Sequence, residues 1–118
     1  MANIYITTGK NLVVDRIDDT ASGANTDYVA IGTGSGQTAA STTLAVEVET
    51  RAAATKSQPA ADKNQWQGTV SITATRAITE AGIFSASSGG TLILYGDFAV
   101  INLVSGDSIQ CTFTLQQT

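Results

Sequence analysis

Ala77-Ile78-Thr79-Glu80-Ala81-Gly82-Ile83-Phe84, running into Ser85-Ala86-Ser87-Ser88-Gly89-Gly90-Thr91-Leu92, reads as a strand, a glycine-punctuated turn and the start of a second strand over residues 92–98. Side chains alternate across a strand, so Ile78, Glu80, Gly82 and Phe84 share one face and Thr79, Ala81, Ile83 and Ser85 the other. Neither face is cleanly polar. The strand is therefore covered on both sides, or a bulge near Gly82 re-aims part of it. Either way Glu80 is headed for burial, where a carboxylate needs a cation or several hydrogen-bond donors. Arg76 and Arg51 are the expected partners, and a structural pair is favoured over a catalytic role.

The same period recurs outward from this hairpin. Trp66, Gly68, Val70, Ile72 and Ala74 alternate with Gln67, Thr69, Ser71, Thr73 and Thr75, which gives one core face and one polar face. Ile109, Cys111, Phe113 and Leu115 alternate with Gln110, Thr112, Thr114 and Gln116 after a Gly106-Asp107 turn. Residues 4–7 and 12–17 are short β-type runs around Gly9-Lys10-Asn11 and predict an N-terminal hairpin over about residues 3–17. Residues 28–32 form a further strand, and Pro59 to Asn64 a turn. One short helix is the most that the chain offers, near residues 41–48, with Ser41 as cap and Leu44 and Val48 four apart. About eight β-runs with Gly, Ser and Asn between them predict an all-β chain: one antiparallel β-sandwich or small barrel, jelly-roll or immunoglobulin-like, spanning residues 1–118 as one domain.

Composition narrows the function classes. Of the 118 residues 42% are hydrophobic and 14% charged, against about 25% charged in an ordinary soluble domain. Such a surface suits packing against neighbouring protein. Net charge is -4 with only six basic residues, scattered along the chain, so a nucleic-acid partner is not expected. No apolar run reaches the roughly 18 residues of a membrane span, and no signal segment follows Met1, so the chain reads as made in a cytoplasm. There is no His, which removes the Ser-His-Asp triad and nearly all zinc sites, and the lone Cys111 sits at an inward position with no imidazole partner.

Two motifs bear on chemistry. Gly32, Gly34 and Gly36 resemble a phosphate loop, but Gln37 stands where a dinucleotide fingerprint needs glycine and no Gly-Lys-Ser/Thr follows. Asp15, Asp18 and Asp19 cluster without calcium-loop spacing. No enzyme activity, cofactor, metal or small-molecule substrate is expected, and one Trp with three Tyr is little lining for a sugar cleft.

Four segments in order carry a resemblance: Tyr28-Val29-Ala30-Ile31-Gly32-Thr33-Gly34, Thr43-Leu44-Ala45-Val46-Glu47-Val48 followed by Arg51, Ile78-Thr79-Glu80-Ala81-Gly82-Ile83-Phe84, and Gly106-Asp107-Ser108-Ile109. Together they resemble small structural proteins of tailed bacteriophages, over roughly residues 28–115, with Glu49 and Thr50 lengthening the middle segment. The resemblance implies a virion structural protein. Its leading form is a capsid decoration (cement) protein on the outer surface of the head, partnered by the major capsid protein and by itself as a homo-oligomer, a trimer being the favoured arrangement. A tail, collar or fibre component is the alternative, and a carbohydrate-binding module for host attachment a remote one. Candidate inter-subunit contacts are Ile4, Tyr5 and Ile6 in the N-terminal hairpin and Gly34, Ser35 and Gly36 in the small-residue loop 33–43.

Overall fold

The computed structural model describes residues 2–5, 7, 26–60 and 63–116. These form eight strands: β1 (Ala2–Tyr5), β2 (Tyr28–Gly32), β3 (Glu47–Ala53), β4 (Thr55–Ala60), β5 (Lys63–Ser71), β6 (Arg76–Phe84), β7 (Leu92–Leu103) and β8 (Ser108–Gln116). All ladders are antiparallel. Five strands make one sheet in the order β1-β7-β6-β2-β3 and three make the other in the order β4-β5-β8. The architecture is a β-sandwich of two separate sheets, not a closed barrel. Of the predicted N-terminal hairpin only β1 and Thr7 are described; Ile6 and residues 8–25, with the three aspartates, lie outside the described residues.

The main core lies between the sheets. Val29 and Ile31 of β2, Trp66 and Val70 of β5, Ile78, Ala81 and Ile83 of β6, Leu94 of β7 and Cys111 of β8 are packed there with Ile72. The alternation read over residues 66–72 produces this core face directly, since Trp66, Gly68, Val70 and Ile72 are buried while Thr69 and Ser71 are exposed. The pattern stops at Ile72: β5 ends at Ser71, and Ala74 is exposed in the turn to β6.

A second, smaller core lies on the outer face of the five-stranded sheet. Ala30, Phe84, Leu92 and Tyr95 are covered there by Leu44, which is 3% exposed. This cover is why both faces of β6 read as apolar. The strand is also bulged: the β6–β7 register shifts between Ile78 and Glu80, and again between Ile83 and Phe84, next to Gly82. The first shift lets Ile78 join the inter-sheet core while Glu80 turns toward the smaller one.

The covering segment is not the predicted helix. Residues 41–46 have no helical turn, and Glu47 already belongs to β3. The spacing of Leu44 and Val48 is coincidental, because Leu44 is anchored in the outer core while Val48 pairs with Ile31 in the sheet. Backbone N–H groups that a helix would point at its own carbonyls are instead taken by a side chain from β6.

Candidate functional site

That side chain is Glu80, fully buried at 0% exposure. Its Oε2 accepts hydrogen bonds from the backbone N–H of Gly34 at 3.0 Å and of Val46 at 2.7 Å. Its Oε1 accepts from the N–H of Ala45 at 2.9 Å and from the Tyr95 hydroxyl at 2.9 Å. Thr79 next in sequence donates its hydroxyl to the Gly34 carbonyl at 2.7 Å. One carboxylate therefore clamps both roots of the loop from Gly34 to Val46 onto the sheet. Burial, and then the hydrogen bond to Glu80, push the Tyr95 hydroxyl pKa well above its ordinary value, which keeps it a donor.

The cation expected beside Glu80 is elsewhere. Arg51 forms a two-pronged pair with Glu47 at 2.8 and 3.0 Å, donates to the carbonyls of Ala86 at 2.9 Å and Gly89 at 2.8 Å, and lies 3.6 Å over the Phe84 ring. Arg76 pairs with Glu49 at 3.2 Å. Glu49 also accepts from the Thr73 N–H at 2.9 Å and hydroxyl at 2.7 Å, and these bonds, then Arg76, hold its carboxyl below the usual range. Arg51 ties β3 to the loop after β6, and Arg76 ties β6 to β3. Neither reaches Glu80, because its oxygens are already saturated by four donors.

A second buried carboxylate gave no sequence signal of its own. Asp27, at 0% exposure, accepts from the Trp66 indole N–H at 2.8 Å, with the Lys56 ammonium 3.7 Å away. The available cue was Trp66 itself, since a buried indole N–H almost always finds an acceptor. Neither carboxylate opens on a solvent-facing cleft. Among the described residues no group of His, Cys, Asp and Glu is placed to hold a metal ion, and no helix is long and apolar enough to cross a membrane.

The candidate contact residues divide. Ile4 and Tyr5 lie in β1, in register with Tyr95 and Leu94 of β7. Gly34 is spent inside the clamp at both its N–H and its carbonyl. Ser35 and Gly36 are exposed, and Gly36 has φ 88 with open space around it. The loop beyond is closed on itself, by the Thr38 N–H to the Ser41 hydroxyl at 2.9 Å and the Gln37 amide to the Thr43 carbonyl at 2.6 Å.

Sequence reading missed an apolar surface at the far end of β7. Past Asp97, the last β7 residue in register with β1, β7 runs on through Val100, Ile101 and Leu103. Val100, Ile101 and, in the turn beyond, Val104 are 53%, 42% and 54% exposed. Between this half of β7 and β8 lies a groove of about 590 Å³ lined by Leu94, Phe98, Ile101, Ile109, Phe113 and Leu115 among others, and none of the described residues lining it is charged.

Cys111 also borders the groove, yet burial pushes its thiol up to about 11 from an ordinary 9.0. At pH 8 only about one thiol in a thousand is then ionised. Thiol-specific labelling of the folded protein should accordingly run about a hundredfold slower than after denaturation. Because the unfolded thiol loses its proton first, stability should fall as pH rises from 9 toward 11, and Cys111→Ala should remove the part of that slope that begins near pH 9, leaving the later fall that Tyr95, also raised by burial, adds above its ordinary 10.0.

Comparison with models of known protein families and with curated proteins returned no match to this chain.

Proposed function

We propose that the protein is a virion structural part, a capsid decoration protein that binds the outer shell of a tailed-phage head and stabilises it. The observation that carries the reading is the apolar end of β7: Val100, Ile101 and Val104 hold large aliphatic side chains out to solvent, Ile101 into the uncharged groove and Val100, next to it along the strand, on the opposite face. Such clustering marks a contact surface, and a rigid sandwich can present it without ordering cost. The buried carboxylates support the same reading, since Glu80 and Asp27 are committed to holding loops and strands. The segments that resemble phage structural proteins include the clamp residues Gly34, Ala45, Val46 and Glu80, so the resemblance and the architecture concern the same residues. A binder specific for an assembled shell stabilises it by mass action, and many weak sites sum over a lattice.

The test is the copy number of this chain per purified particle, relative to the major shell protein, by quantitative mass spectrometry. Copies comparable to the shell protein are expected. A handful to a few dozen copies would move the protein to the tail or collar, and none would end the virion reading.

A further inference from the structure

Four strand edges flank the two sheets, and three of them carry a device against pairing with another chain. β1 spans four of the described residues. β3 carries Glu47, Glu49 and Arg51, has a register shift against β2, and holds Glu49 at φ 66. β4 contains Lys56 and Pro59 and shifts register between Ser57 and Ala60. β8 has none of these. It is nine residues long, pairs with β5 without a break from Ser108 to Gln116, carries no charge, and has no strand on its other side among the described residues.

The floor beside that open edge is apolar. Ile109, Cys111, Phe113 and Leu115 line the groove from β8, and Leu94, Phe98 and Ile101 line it from β7. The two sheets meet through β5 against β3 and β2, and the groove beside β8 is floored by β7, so a chain added to β8 lies over β7.

We propose that β8 is a strand-acceptor edge, which takes up one extended, uncharged segment of a neighbouring subunit in the assembled particle. Its main chain pairs with β8, and apolar side chains at every second position fill the groove. An all-uncharged groove selects against a charged segment, because a buried lone charge has no partner there. The source of the strand rests on the structural role proposed above; the acceptor edge does not.

Hydrogen exchange of the β8 amides separates the two. In the isolated full chain, alternate β8 amides should exchange quickly. Addition of a capped nine-residue peptide of alternating Val and Thr should slow those amides at least tenfold, and a peptide with Glu at the Val positions should not. Ile101→Glu, at a position already 42% exposed, should abolish the protection while leaving the melting temperature close to wild type; Thr69→Glu, on the exposed face of β5, should leave it intact. Slow exchange along the whole of β8 in the isolated monomer would mean that the edge is covered from within the chain, and would overturn the proposal. So would the absence of protection at millimolar peptide. In particles, β8 amides should be slow; if they stay fast there while the peptide protects, the neighbouring-subunit source is overturned. Particles that lack the chain would sink the proposed function, with the peptide measurement still deciding the edge.

Discussion

Glu80→Gln should lower the melting temperature by roughly 10 °C, with the loss concentrated in the loop that the carboxylate holds. The amide has nearly the same volume, but one oxygen becomes an NH2 group facing donors. At least one of the pairs Gly34 with Val46, or Ala45 with Tyr95, then loses its acceptor. An unsatisfied buried donor costs about 1–3 kcal/mol, and for a chain of 118 residues each kcal/mol is worth about 3–5 °C. Glu80→Ala removes the acceptor for all four donors and leaves a void, a cost of about 3–5 kcal/mol against a typical total of about 5–15. Tyr95→Phe, which deletes one donor and leaves the other three satisfied, should cost only about 1 kcal/mol. The diagnostic readout is hydrogen exchange: amides of Gly34, Ala45 and Val46 should accelerate in Glu80→Gln beyond what the global destabilisation explains. A melting temperature within 2 °C of wild type would show that the clamp contributes little.

This clamp also marks where sequence reading succeeds and where it stops. Alternation over residues 66–72 and 109–115 forecasts the inward faces of β5 and β8, because a half-buried strand writes its geometry into side-chain type. A carboxylate within an apolar run forecasts the burial of Glu80 for the same reason. Its partners were illegible. Three of the four donors are backbone N–H groups, which every residue but proline carries, so Gly34, Ala45 and Val46 leave no compositional trace of the role. Choosing Arg51 or Arg76 follows from pairing charges by type, and both are taken by glutamates of β3 or just inside it, Glu47 and Glu49. The helix expected near residues 41–48 fails through the same blindness, since a tertiary acceptor competes for the N–H groups that a helix would use. The apolar end of β7 at Val100, Ile101 and Val104 was hidden in a run that reads as an ordinary buried strand; only its position beyond the end of β1 exposes it.

Gly32→Ala should be nearly as damaging as the loss of Glu80, and its coupling to Glu80 tests whether the loop, the strand and the carboxylate form one unit. Gly32 closes β2, in register with Glu80 on one side and Glu47 on the other. A Cβ there would collide with the Val46 carbonyl oxygen and Glu80 Oε2, and would lie 2.8 Å from Glu80 Cδ. The carbonyl cannot move away freely, because it accepts the Thr33 N–H at 2.9 Å. The methyl must therefore push the loop off the carboxylate, at about 3 kcal/mol. Gly36→Ala provides the contrast within the same loop. Its Cβ meets nothing within 4 Å, but φ is 88, so the cost is one of backbone conformation alone, about 1 kcal/mol. In a double-mutant cycle Gly32→Ala and Glu80→Gln should cost at least 1 kcal/mol less together than the sum of the two, because each disrupts the same hydrogen bonds. Gly36→Ala should add to Glu80→Gln within about 0.5 kcal/mol. Additivity for Gly32 as well would mean that strand and loop yield independently, and that the carboxylate is one contact among several instead of the link that joins them.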